Sequence, residues 1–117
     1  MIQKLFSAVV VIAGLCAANQ AQGQSDFYQG KTIRIIVGYS PGGGYDALAR
    51  MLSRHMPKYI PGQPTILVEN MAGAGSLLAA NHIFKVAKPD GLTMGHFSGG
   101  FVYSQVMGQP GIELDMR

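Results

Sequence analysis

A strand, a glycine-rich loop and a helix are predicted three times in succession along this chain of 117 residues. The predicted strands span residues 32–38, 65–69 and 92–97. The first of them (TIRIIVG) is a nearly continuous apolar run, which is typical of a strand buried on both faces. Connections between parallel strands are almost always right-handed and place helices against the sheet. The sequence therefore predicts an α/β fold, a parallel sheet with helices on its faces and the three glycine loops at one edge.

The helical spacing of apolar residues predicts which helix faces are buried. Helices are expected from Tyr45, after Ser76 and over residues 101–107, and the Ser76 side chain is expected to cap the second of them. The predicted inward face of the first helix consists of Leu48, Met51, Leu52 and His55. The predicted inward face of the second helix consists of Leu77, Ala80, Phe84 and Ala87.

The first 23 residues have the pattern of a secretory signal peptide. Lys4 precedes an apolar run, residues 5–18, that is shorter than the roughly 20 residues needed to cross a bilayer. Ala21 and Gly23 are small residues at the −3 and −1 positions, which predicts cleavage after Gly23 and export. Cys16 does not follow a small residue, as a lipidation signal requires, so a secreted form without a stable membrane anchor is favoured.

Composition argues against several classes of function. The 9 Lys and Arg and the 6 Asp and Glu residues are spread along the chain without a basic run, so nucleic-acid binding is disfavoured. His55, His82 and His96 lie on three predicted elements without metal-ligand spacing, and each is expected to be structural. Residues 24–117 contain no cysteine for a disulfide or a nucleophile. We therefore expect no metal, no cofactor and no enzymatic activity.

Each glycine loop leads into the amino terminus of a helix, where unpaired backbone N–H groups and the helix dipole favour an anion. The loops are residues 40–44 (SPGGG), 73–76 (GAGS) and 98–100 (SGG). Taken alone, each loop fits an anion site and also fits a tight turn that binds nothing. Asp46 is expected to stabilise the start of the first helix and to help shape the site. The ring of Tyr39 is expected either to lie along a ligand or to pack in the core.

A dinucleotide-binding pattern overlaps the first loop. Residues 42–47 satisfy G-x-G-x-x-A, and Glu69 lies near the position of the ribose-binding acid. This makes a Rossmann-type oxidoreductase fragment the alternative hypothesis. Against it, the charge of Asp46 would oppose a pyrophosphate, and export would separate the chain from nicotinamide cofactors. A third possibility is a truncated product without a ligand function.

Three segments in order carry a family resemblance. They are VGYSPGGGYDALAR (37–50), VENMAGAGS (68–76) and KPDGLTMG (88–95). Together they resemble the Bug receptors, the periplasmic solute-binding proteins of tripartite tricarboxylate transporters. The resemblance implies a two-lobed type II periplasmic binding protein fold, of which residues 24–117 are part of the first lobe. Because such receptors are longer, a chain ending at Arg117 is expected to be an amino-terminal, truncated portion.

The resemblance also implies a function and a site. Such receptors capture a small carboxylate through backbone amides of their loops and deliver it to membrane components of the transporter. Carried over by position, the ligand-binding residues are Tyr39, Ser40, Gly42, Gly43, Gly44, Asp46, Gly73, Ala74, Gly75, Ser76, Ser98, Gly99 and Gly100. This sequence departs from the family pattern at four places. Gly38 replaces a usual proline, Met71-Ala72 replaces a common Arg-Pro, Ser76 with Leu77 replaces a usual Gly-Asn pair, and the third loop lacks the usual threonines.

Overall fold

The computed structural model describes residues 27–113 and residue 115. Its strands and helices are β1 (Thr32–Val37), α1 (Gly44–His55), β2 (Thr65–Asn70), α2 (Leu77–Lys85), β3 (Thr93–His96) and α3 (Phe101–Val106). Single short turns follow α1 at Pro57–Tyr59 and precede α2 at Ala74–Ser76. The predicted strands and helices are all present in the predicted order. The predicted signal peptide and its cleavage site lie outside the described residues.

The three strands form one parallel sheet in the order β2-β1-β3. Ile35 of β1 is paired with Val68 of β2 and with Met94 of β3, so β1 is the central strand. The exposed fractions of Ile35, Ile36 and Val37 are 3%, 0% and 0%. The predictions of an α/β fold and of a first strand buried on both faces are therefore confirmed.

The helices α1 and α2 cover opposite faces of this sheet. On one face, Ala49 of α1 packs against Val37. On the other face, Ile83 of α2 lies close to Gly95, which is paired with Ile36 of β1. Since side chains alternate between the faces along a strand, neighbouring β1 residues contact different helices.

The loops after β1 and β3 diverge from each other. The loop after β1 leads to α1, whereas the loop after β3 leads to α3, whose Phe101 packs against Ala80 of α2 on the opposite face. In parallel sheets such a reversal between neighbouring strands leaves a crevice outside their carboxyl ends. The fold therefore opens a crevice at the end of β1 and β3.

The predicted inward face of α1 is wrong. Leu48, Met51 and Leu52 are 43%, 46% and 39% exposed, and His55 is exposed too. The helix instead buries Ala49 and Asp46. The small side chain of Ala49 lets the helix backbone approach the sheet closely, and Asp46 points inward because hydrogen-bond donors surround its carboxylate.

The predicted inward face of α2 is correct only in part. Ala80 is 1% exposed and Leu77 packs against the buried cluster, as expected. Phe84, however, is 50% exposed, and α2 ends at Lys85, so Ala87 lies beyond the helix. The buried contact is made by small residues, and the larger apolar side chains of α2 flank it.

Candidate functional site

Ser76 lies at the carboxyl edge of the sheet, between the end of β1 and the third loop. Its side chain, 1% exposed, lies against Gly38 at the end of β1, where a Cβ atom would overlap the Cβ of Ser76. The Ser76 hydroxyl oxygen accepts a hydrogen bond of 3.0 Å from the backbone N–H of Ser98 in the third loop. Ser76 therefore joins the second loop to the third loop and to the end of β1, at the edge where the first loop begins.

Asp46 holds the first loop in place. Its Oδ2 accepts hydrogen bonds of 2.9 Å from the Gly42 N–H and from Nε of Arg50, and its Oδ1 accepts one of 2.9 Å from the Asn70 side-chain amide. The Arg50 guanidinium, with these two amides, holds the pKa of the Asp46 carboxyl well below its usual range. Because Asp46 is 3% exposed and fully partnered, it positions the loop from beneath.

Asn70 is a residue of this site that was not among those predicted. Its side-chain amide donates to the Tyr39 carbonyl at 3.0 Å as well as to Asp46, and its Oδ1 accepts a bond of 3.2 Å from Arg50. Asn70 thus ties the end of β2 to the first loop. A polar residue at the end of an otherwise apolar strand was the available signal.

Acid titration should reveal the contribution of Asp46. Since its pKa is lowered in the folded state, the stability that it adds is complete above the unfolded value of about 3.8 and is lost as pH falls through the folded value. We expect Asp46→Asn to lower the Tm at pH 7 by about 5 °C or more, because Arg50 and the loop amides lose a charged acceptor. The difference from the unmodified protein should shrink below pH 4.

Thermal melts between pH 7 and pH 2 would measure this effect. Asp90→Asn is the matched control, since Asp90 is exposed and its Oδ1 accepts the Leu92 N–H, a bond that an asparagine side chain can also accept. A Tm difference for Asp46→Asn that stays constant down to pH 2 would contradict the assigned role.

The second loop follows a left-handed path. The φ angles of Gly73, Ala74, Gly75 and Ser76 are 149°, 47°, 62° and 75°. Ser76 occupies the N-cap position of α2, but its side chain makes no capping hydrogen bond, so the predicted cap is wrong. The reason is that this backbone conformation directs the hydroxyl towards Ser98 of the third loop.

Several loop amides are already used within the chain. The Gly42 N–H donates to Asp46, the Ser76 N–H to the Gly73 carbonyl, and the Gly100 N–H to the Ser98 hydroxyl. The start of α1 is different. The first intrahelical bond runs from the Ala47 N–H to the Gly43 carbonyl at 2.9 Å, so the N–H groups of residues 43–46 have no partner within the helix.

An aromatic row lies beside these amides. The rings of Tyr39 and Tyr45 are stacked with centroids 4.3 Å apart, and the Tyr45 and His96 rings follow at 4.8 Å. Gly44, Tyr45, Leu48 and His96 line a cavity of about 220 Å³. Neither Tyr45 nor His96 was among the predicted site residues, because their proximity depends on the pairing of β3 with β1.

Glu69 does not face a nucleotide site. Its carboxylate is bound by Arg34 of β1 through Nε at 2.8 Å and Nη2 at 2.6 Å, and this pairing lowers the pKa of Glu69. The acid that the dinucleotide hypothesis requires is therefore engaged across the sheet.

Within residues 27–113, no group of three acidic or histidine side chains could hold a metal ion. In that same range, no helix has the length and apolarity to cross a membrane.

The chain is similar in sequence to several bacterial proteins. It is 40% identical over 88 residues to the UPF0065 protein in the gbd 5' region of Cupriavidus necator, and 37% identical over 87 residues to BugT of Bordetella pertussis. These matches cover 75% and 74% of this chain but 26% of each relative, so the chain spans about a quarter of their length. No protein-family model matches it.

A solved structure gives the same indication. A protein described as a periplasmic transporter matches the fold with a TM-score of 0.52 and 37% sequence identity. The match covers 58% of this chain and 22% of that protein. At this identity the likeness is one of sequence as well as of fold.

Proposed function

Because this chain belongs to the UPF0065/Bug family, of whose members it spans about a quarter, we propose that it is part of a non-enzymatic, periplasmic solute-binding receptor. The likeness to a periplasmic transporter structure supports both the compartment and the role. Export would require the predicted signal peptide, with cleavage after Gly23. The partners proposed for the whole protein are the membrane components of a tripartite transporter.

The solute that we propose is a small carboxylate held at the amino terminus of α1. The observation that carries this proposal is the set of N–H groups at residues 43–46, which have no partner within the helix. Two of these residues, Gly44 and Tyr45, line the cavity beside His96. The helix dipole adds the equivalent of about half a positive charge at this end. Together they provide hydrogen bonds and a favourable field for an anionic group.

The charge of Asp46 does not oppose such a ligand. Its carboxylate lies in the first turn of α1, but Arg50 pairs with it at 2.9 Å and the two charges offset each other. The start of α1 therefore keeps its attraction for an anion. Asp46 contributes by fixing the loop that contains Gly42, rather than by touching the ligand.

The second and third loops complete the proposed rim. Ser76 links them through its hydrogen bond to Ser98, so residues 73–75 and 98–100 are positioned next to the end of β1. The exposed residues Ser40, Gly75 and Gly99 are the proposed contacts from the loop tips. In the whole receptor, ligand capture would occur between these loops and a second lobe.

Calorimetric titration would test the function. The purified protein, with every residue that its gene encodes, is titrated with a panel of small mono-, di- and tricarboxylates and with NAD. We expect saturable heat with at least one carboxylate and none with NAD. Heat with NAD alone would overturn the proposal in favour of the dinucleotide hypothesis.

A thermal-shift measurement with the same panel tests the remaining possibility of a product without ligand function. A bound carboxylate should raise the Tm, since a ligand that binds only the folded state stabilises it. An uncooperative melt that no compound shifts would support a chain that binds nothing.

A further inference from the structure

His96 occupies the carboxyl end of β3, beside the start of α1. It is paired in register with Val37 of β1, and paired residues of parallel strands face the same side of the sheet. That side is the one that α1 covers. The imidazole ring lies 4.8 Å from the Tyr45 ring, and both rings line the cavity at Gly44. A histidine side chain thus stands next to the amides proposed to hold the carboxylate.

The two ring nitrogens of His96 have different surroundings. Within the described part of the chain, Nδ1 is buried and has no hydrogen-bond partner. A buried N–H group without an acceptor is less favourable than a buried lone pair, and this favours the tautomer with its proton on Nε2. Nε2 is not buried in this way, and no hydrogen bond from residues 27–113 occupies it. This leaves one N–H donor for the cavity.

We propose that His96 is a specificity-determining residue of this site. The amides of α1 hold one carboxylate of the ligand, and the Nε2–H of His96 donates a hydrogen bond to an oxygen elsewhere in the ligand. The inference rests on the proposed function and adds a selection rule to it. Acids with an acceptor oxygen outside the first carboxylate are preferred to simple monocarboxylates of the same length. The ring of Tyr45, which lines the same cavity and lies 4.8 Å from the His96 ring, would contact the carbon skeleton.

Matched pairs of acids test the selection rule. The complete protein is titrated calorimetrically with butyrate and succinate, pentanoate and glutarate, and benzoate and phthalate. We expect the diacid to bind about 10-fold more tightly than its monoacid partner in at least one pair. His96→Leu should bring this ratio close to one.

Two conservative variants distinguish the role of Nε2 of His96 from that of Nδ1. The amide nitrogen of a glutamine can reach the position of Nε2, whereas that of an asparagine lies near Nδ1. His96→Gln should therefore keep most of the ratio, and His96→Asn should lose it as His96→Leu does. His55→Leu is the matched control, because His55 is an exposed histidine at the other end of α1. It should keep the original ratio.

The outcomes are distinct. A diacid preference that survives His96→Leu, or that is absent from the unmodified protein, overturns this inference and leaves the proposed function standing. If the unmodified protein binds another carboxylate of the panel but none of these six acids, the inference is overturned and the proposed function stands. If it binds no carboxylate at all, both fail. Nitrogen NMR adds a direct readout, since the Nε2 resonance of His96 should shift with the preferred diacid. An unchanged resonance under saturation also overturns the inference.

Discussion

Replacing Gly38 with alanine is expected to destabilise the protein by about 3 kcal/mol, the upper range for overpacking a buried site. A Cβ atom at this position would overlap the Cβ of Ser76 and lie 3.1 Å from its Cα and 3.2 Å from the Cβ of Phe97. Ser76 is fully buried, so it cannot turn away, and one of the contacts is with backbone. The destabilisation should appear as a lower urea midpoint in equilibrium unfolding.

A second substitution should rescue the first. Ser76→Gly removes the overlapping Cβ and also places glycine at a φ of 75°, a conformation that costs about 1–2 kcal/mol for other residues. By itself it loses the hydrogen bond to Ser98, worth about 1 kcal/mol, so its net effect should be small. The double variant is expected to recover most of the lost stability, with a coupling energy of about 2 kcal/mol.

Gly99→Ala is the control for these measurements, because a Cβ at Gly99 would meet no atom within 4 Å. It should change the stability by less than about 0.5 kcal/mol. If the effects of the Gly38 and Ser76 substitutions on stability are additive, the two residues are not in direct contact. Rescue would also explain two departures from the Bug sequence pattern together, since a glycine at 38 is what makes room for a serine at 76.

Replacing Gly44 with proline should remove a single hydrogen-bond donor from the proposed carboxylate site. Gly44 is the first residue of α1, and proline is favoured at this position because its missing N–H has no partner in the helix. The preceding residue, Gly43, has a φ of −79° and a ψ of 174°, which a residue before proline adopts readily. A Cβ at Gly44 would meet nothing within 4 Å. The helix should therefore keep its stability.

The affinity for the carboxylate identified by calorimetry should fall about 10- to 100-fold in Gly44→Pro, the loss expected for one hydrogen bond to a charged group. Gly44→Ala adds a side chain at the same place but keeps the N–H, and its affinity should stay within about 3-fold of the original. If both variants bind equally well, the ligand does not contact this amide.

The strands were predictable because their signal is local. Residues 32–38 combine β-branched side chains with a glycine and proline boundary, and the structure places β1 at Thr32–Val37. The face of α1 was not predictable by the same method. Leu48, Met51 and Leu52 have helical spacing, but α1 packs against the sheet through the small residue Ala49. The spacing of apolar residues does not indicate how closely a helix backbone approaches a sheet.

The candidate site, too, was predictable only in part. Its three loops follow from glycine composition and from the rule that parallel strands end at one edge. Their internal bonds do not, because Asn70 lies 24 residues from Asp46 and meets it only through the register of β2 with β1. The set of ligand-contacting residues stays a prediction, and the Gly44 and His96 variants are designed to test it.

The pairing of Asp46 with Arg50 determines how a ligand would be attracted. With its nearest cation already occupied, the rim offers dipoles rather than a net positive charge, and dipolar attraction acts only over a few ångströms. Added salt, which screens charges separated by more than about 10 Å at 0.1 M, should therefore affect affinity little. A receptor of this kind would discriminate between anions by their fit at close range, and its affinity would change little with the ionic strength of its surroundings.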